Sequence, residues 1–172
     1  PPDINESDYY FIPNAHQQIR YALGAIKGTG EAAINAIVSV RRSSGKFKSL
    51  FDFCERVGKQ HVNRRTIEAL IKGGAFDSIE PNRAMLLANI ELALQNAEQK
   101  AQNTLQGGLF DMLDDALDEV TMLPETAWSE AQKLAEEKTA IGFYLSGHPF
   151  APYADEVRAF AKTPLAQLRP QE

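Results

Sequence analysis

The sequence predicts a mainly α chain with a small β-hairpin at its start, followed by paired helices, an acidic tether and further helices. Three observations carry this. Apolar residues recur at helical spacing in a succession of stretches after Glu31, and Ser or Asn stands just ahead of several of them. Only the first two dozen residues hold β-branched and aromatic runs around a turn.

The elements follow in order. Tyr9 to Ile12 and Ile19 to Leu23 flank Pro13-Asn14-Ala15-His16 and read as a hairpin with Ile19, Tyr21 and Leu23 on one face. Two strands alone are marginal, so the pair must pack on something else. From Glu31, Ile34, Ile37 and Val38 set a helical period that runs to Arg41-Arg42 and stops before Ser-Ser-Gly. Ser49 with Asp52 forms a capping-box pattern ahead of Leu50, Phe53, Cys54 and Val57, and Gly58 ends that stripe. A helix from about Asn63 to Lys72 carries Ile67, Leu70 and Ile71 and stops at Gly73-Gly74. The longest helix begins near Pro81-Asn82 and places Leu86, Ile90, Ala93, Leu94 and Ala97 on one face. From Gln99 to Thr126 the apolar period fades into an acidic run, and this stretch reads as a tether with local order at most. Ser129 and Gln132 cap a helix through Leu134 and Ile141, expected to end at Gly147-His148-Pro149. Trp128 is expected to pack on its first turn, and His148 to cap a turn. A last short helix follows, with Tyr153, Val157 and Phe160 on one stripe, and Thr163-Pro164 looks like another cap.

Composition narrows the function. The 172 residues are 44% hydrophobic, enough for a packed core, and no apolar run approaches the roughly 18 residues of a membrane span. A soluble, cytoplasmic protein without membrane contact is the expectation. The chain begins at Pro1 and ends in LRPQE, which reads as a piece of a longer protein. A single cysteine excludes an internal disulfide, and His16, His61 and His148 lack metal-ligand spacing. No Ser-His-Asp set offers catalysis, and carboxylates crowd only the acidic run, where nothing would hold a metal.

The net charge of -5 hides a split. From Arg20 to Lys72, eleven Lys/Arg face four Asp/Glu, a local +7, which leaves seven basic against nineteen acidic groups elsewhere. A basic front half suits a polyanion, because long-range attraction follows local charge. Within it, Lys27-Gly28-Thr29-Gly30 lies between an apolar segment and a helix start. Two glycines permit a tight turn with positive dihedrals and leave amides bare for a phosphate oxygen, while Lys27 adds charge. Lys72-Gly73-Gly74 repeats the plan between two helices. Paired glycine hairpins between helices, each preceded by lysine, are what a tandem helix-hairpin-helix module needs to hold the DNA backbone without reading bases. A dinucleotide fold is excluded, since Ala33 stands where a third glycine is required. Arg64-Arg65 opens a helix against the dipole and gains sense beside phosphates.

The strings IRYALGAIKGTGE, FKSLFDFCERV, VNRRTIEALIKGGAFDSI, NRAMLLANIELAL and EKTAIGFYLSGHPF span nearly the whole chain in unbroken order. Together they resemble the bacterial C-family replicative DNA polymerases, the DNA polymerase III alpha subunits, in the region beyond the palm. The resemblance implies the end of the fingers over 1–23, a tandem helix-hairpin-helix module binding duplex DNA over 24–98, an acidic tether with a clamp-binding peptide over 99–127, and a helical approach to an OB domain over 128–172. Gln106, Leu109 and Phe110 match the family's clamp-binding plan, with Gly107-Gly108 adding ordering entropy to any capture. The palm carboxylates, their Mg2+ and the PHP domain would lie outside these residues, so no cofactor or catalytic residue is expected here. Partners would be duplex DNA, the sliding clamp and other replisome subunits. A stand-alone helix-hairpin-helix repair module and a structural connector, with both hairpins as packing turns, are the alternatives.

Overall fold

The computed structural model describes residues 1–14, 17–106 and 122–161. Two short strands, β1 (Ile12–Pro13) and β2 (Ile19–Arg20), pair antiparallel with Ile12 opposite Arg20 and Pro13 opposite Ile19. The helices are α1 (Glu31–Ser44), α2 (Leu50–Val57), α3 (Arg64–Lys72), α4 (Arg83–Ala88), α5 (Ile90–Gln106), α6 (Glu130–Ile141) and α7 (Ala154–Phe160). Single 3-10 turns occupy Leu23–Ala25 and Ala151–Tyr153.

The hairpin is shorter than its composition implies, and its residues do not share one face. Ile19 is 76% exposed, whereas Leu23 has left the strand for the 3-10 turn and is fully buried. Pairing continues past the strands through the backbone bonds from Leu23 N–H to Asp8 O and from Gly24 N–H to Tyr9 O. The N-terminal segment is then sewn to the helices. Ile4 N–H donates to Ala75 O at 2.7 Å, Asn5 exchanges two bonds with the Phe47 backbone, and the Arg41 guanidinium donates to the carbonyls of Ile4 and Ser7.

One core serves these elements. Phe53 is enclosed edge-to-face by Phe47 and Phe76, each with ring centroids 5.1 Å away. Around it lie Ile34, Ile37, Leu50, Cys54, Ile67, Leu70, Leu86 and Ile90, the apolar stripes expected of α1 to α5. Helix starts follow their caps: Ser49 accepts from Asp52 N–H, Asn63 from Thr66 N–H, Asn82 from Met85 N–H and Ser129 from Gln132 N–H. α2 lies along α5, with Lys59–Glu98 and Lys100–Glu55 ion pairs on their exposed rims.

Three boundaries differ from expectation. The single long helix is broken at Asn89, whose buried side chain donates to Met85 O and Leu123 O and accepts from Leu123 N–H. The backbone leaves helical geometry there (φ -99°, ψ 2°), where the Asn89 side chain bonds the same Met85 carbonyl that its own N–H approaches. α5 then runs seven residues past Gln99, so helix occupies the first part of the expected tether. Its other end is tied down as well, through Leu123 on Asn89 and through Asn82 donating to Glu125 O. α6 ends at Gly142 rather than at Gly147-His148-Pro149, because Gly142 takes a left-handed conformation (φ 103°) and its N–H closes on Lys138 O. His148 does serve a turn, its Nδ1 accepting from Phe150 N–H. Trp128 is half-buried and shares the wall of a recess with Ala84, Leu87 and Gln132. The stripe of α7 is present but bare, with Phe160 84% exposed. Thr163-Pro164, Leu109 and Phe110 lie outside the described residues, and nothing is described of the Gln106 side chain.

Candidate nucleic-acid interface

The first hairpin is shaped by its threonine. Thr29 Oγ1 lies 2.9 Å from Leu23 O and 2.7 Å from Ile26 O, so the hydroxyl is spent closing the turn. Gly28 has φ 92° and is exposed, a conformation only glycine adopts at ease. Gly30 differs from expectation: at φ -90° and ψ 150° it is ordinary extended backbone, and a Cβ there would meet open space. Its role is instead as the N-cap of α1, where it supplies no side-chain oxygen. The first-turn amides of α1 therefore meet no side-chain cap, unlike those of α2, α3, α4 and α6.

The second hairpin is closed. Gly73 and Gly74 are buried, Gly73 under Ile26 of the first hairpin and Gly74 under the Arg83 guanidinium. Arg83 is 3% exposed and makes a forked bond to Asp77 (2.7 and 2.6 Å), donates to Lys72 O at 3.0 Å, and faces Glu137 at 3.5 Å. Burial by itself would lower the Arg83 pKa; Asp77 and then Glu137 raise it above the ordinary value. Lys72 pairs with Glu136 at 3.0 Å. Neither glycine is open to a phosphate in this arrangement.

The two hairpins interlock across α3. A Cβ on Gly73 would lie 3.1 Å from Ile26 Cδ1, and one on Gly28 would lie 3.7 Å from the Ala69 Cβ. Arg65 stands one turn before Ala69 on the same stripe of α3, the stripe that Gly28 approaches at Ala69. Arg65 and Lys27 are exposed and have no side-chain ion-pair or hydrogen-bond partner among the described residues. Arg64 does not join them. Glu68 at 2.8 Å, with Glu91 at 3.4 Å, occupies it and raises its pKa further.

Much of the basic excess is thus answered in three dimensions. Arg42 pairs with Asp8, Lys46 with Glu6, Arg56 with Asp52, Lys59 with Glu98 and Lys72 with Glu136. The pairing carboxylates Glu136 and Glu137 give no signal in the string, because their partners Lys72 and Arg83 lie on distant elements. Arg83, directly after a capping Asn, gave no signal either. Among the described residues, no three His, Cys, Asp or Glu side chains converge to hold a metal ion, and no helix is long and apolar enough to cross a membrane.

A turn of bare glycine leading into an uncapped helix, with a second glycine turn packed against it, defines a class, and the comparisons agree. A helix-hairpin-helix motif model matches residues 1–86, and the chain belongs to that family. Relatives matched over all or nearly all of the chain are named DNA polymerase III subunit alpha. The protein from Neisseria meningitidis serogroup A is 69% identical over 172 residues, 100% of this chain. That from Pasteurella multocida is 41% identical over 99% of it, and that from Escherichia coli K12 is 38% identical over 93%. The chain spans about 15% of the length of these relatives, 15%, 15% and 14% respectively.

Proposed function

We propose that this chain holds the backbone of duplex DNA for a bacterial replicative DNA polymerase, and that the segment beginning at Gln106 docks the enzyme on its sliding clamp. The first hairpin carries the reading: Gly28 and Gly30 leave its backbone bare, α1 starts without a side-chain cap, and Lys27 in the hairpin and Arg65 on the helix it touches are exposed and unpaired among the described residues. A phosphate oxygen accepts from the first-turn amides of α1 along the positive end of the helix dipole, while the two cations lie within reach of neighbouring phosphates. Thr29 keeps the turn in shape, its hydroxyl donating to the Leu23 and Ile26 carbonyls. No group in this set reads a base edge, so binding is independent of sequence. The closed second hairpin supports the connector reading for that turn alone, leaving the DNA to the first.

The relatives' shared name supports the polymerase assignment. Polymerisation itself, with its carboxylates and Mg2+, would belong to a palm outside these residues. Gln106, Leu109 and Phe110 support the clamp assignment by pattern: two adjacent apolar anchors fill a pocket and a glutamine bonds at its rim. Holding duplex and clamp together makes each attachment intramolecular for the other, which is the physical basis of processivity.

The test measures both partners on one protein. Duplex affinity, read by fluorescence anisotropy, should fall steeply with salt and not depend on sequence. Affinity that is flat from low to moderate salt refutes the DNA assignment. Titration of the clamp with the protein, and with a peptide covering residues 102–113, should give comparable binding that the joint change Leu109→Ala and Phe110→Ala abolishes, with duplex affinity untouched. A stand-alone repair module would bind duplex but no clamp, and a connector would bind neither.

A further inference from the structure

The GFYLSGHP segment and α6 lie beyond the residues matched by the family model, yet they reach both hairpins. Glu137 is 1% exposed, an unusual place for a carboxylate, and every contact it makes ties one part of the chain to another. Its Oε2 accepts from Leu145 N–H at 2.6 Å, Ser146 N–H at 2.9 Å and Ser146 Oγ at 3.3 Å, which folds the loop after Gly142 back onto the helix. Its Oε1 faces Arg83, which in turn holds the Lys72 carbonyl and Asp77 of the second hairpin. One turn along α6, Ala140 O accepts from Lys27 N–H at 2.8 Å. Gly142, which ends the helix, places its Cα so that a Cβ would lie 3.5 Å from Lys27 Nζ.

We propose that Glu137 is a positioning residue for the nucleic-acid interface: by clamping the 142–147 loop and Arg83 to α6, it presents Ala140 O to Lys27 and so sets the pose of the first hairpin. The inference rests on the duplex-holding reading above and extends it, because the working unit then runs from the N-terminal hairpin to Gly147. α6 acts as a clasp across a pair of hairpins that the family model ends without. A buried carboxylate with three donors and a guanidinium has a definite geometry to enforce, whereas a merely space-filling residue there would be apolar.

The experiment uses hydrogen exchange on the protein with Glu137→Gln, and with Glu137→Asp as the milder variant should the first not fold. Exchange at the Lys27, Leu145 and Ser146 amides should accelerate about tenfold or more, while the α3 amides of Leu70 and Ile71 keep their protection, as local opening requires. Uniform acceleration would reveal general destabilisation, and no acceleration would show that the clasp does not hold the hairpin; either overturns the proposal. Duplex affinity supplies a second arm. Glu137→Gln should weaken it in the native background and not in a Lys27→Gln background, the non-additivity of residues acting through one hairpin. Additive losses overturn the proposal too. If Lys27→Gln alone leaves duplex affinity unchanged, the DNA reading fails, and the exchange pattern still decides whether Glu137 positions the hairpin.

Discussion

A Cβ built on Gly28 falls 3.7 Å from the Cβ of Ala69, so the first hairpin rests on the middle of α3 at ordinary van der Waals distance. The site therefore has space for a methyl group at Gly28 but not the backbone for it, since φ is 92°. Gly28→Ala should cost about 1–2 kcal/mol of stability through left-handed strain alone. Gly30→Ala, at extended backbone facing open space, should cost roughly half that or less. Urea denaturation of the two variants checks the order.

Stability and affinity should move in opposite directions at the α1 start. Gly30→Asp supplies the missing cap and should stabilise the fold by a few tenths of a kcal/mol, or about 0.3. The same carboxylate satisfies the amides and repels the phosphate, so duplex affinity should drop. A variant that gained stability and kept its affinity would remove α1 from the interface.

Salt dependence separates the cations. Lys27→Gln and Arg65→Gln should each lower the log-log salt slope by about 0.9, one phosphate contact apiece. Lys72→Gln should leave the slope unchanged, because Glu136 already occupies that lysine. A slope lowered by Lys72→Gln instead would mean that α6 yields the second hairpin to DNA.

Asn89 fastens residues beyond the acidic run to the break between α4 and α5. Asn89→Ala removes its paired bonds with Leu123 (2.9 and 2.7 Å) and its bond to Met85 O, which releases the 122–125 segment from the α4–α5 break. A loss of about 1–3 kcal/mol is expected, with faster proteolysis around Leu123.

The Cys54 thiol gives a pH signature. Desolvation raises its pKa from the ordinary 9.0 to about 12. The unfolded chain therefore releases this proton first as pH rises, and between pH 9 and about 12 the unfolded state binds fewer protons than the native one. Stability from this group is complete below pH 9 and falls as pH climbs, by at most about 1.4 kcal/mol per unit. The difference in stability between the native protein and Cys54→Ala should narrow over that window. Alkylation of the native thiol should be slow and limited by unfolding.

The helices themselves were legible because their signals are local. Ser49, Asn63 and Ser129 each cap the helix their spacing announced, and the stripe through Leu50, Phe53, Cys54 and Val57 is buried as its period requires. Helix ends were less legible. Gly142 and Gly147 are both plausible stops in the string, and the choice between them depends on Glu137 binding the Leu145 and Ser146 amides. The break at Asn89 was invisible for the same reason, since its partner Leu123 lies 34 residues away.

By itself, the sequence determined a mainly α chain, the glycine turns, the lysines before them and an excess of positive charge in the first half. These follow from backbone freedom, capping and composition, which act over a few residues. Which hairpin stays open was decided only by tertiary structure. Both turns carry Lys-Gly and look alike in the string, yet Arg83, Glu136 and Glu137 converge on the second and none of them on the first. Coulombic pairing depends on distance in space, and in the string Glu136 stands more than sixty residues from Lys72 and Glu137 stands 54 from Arg83.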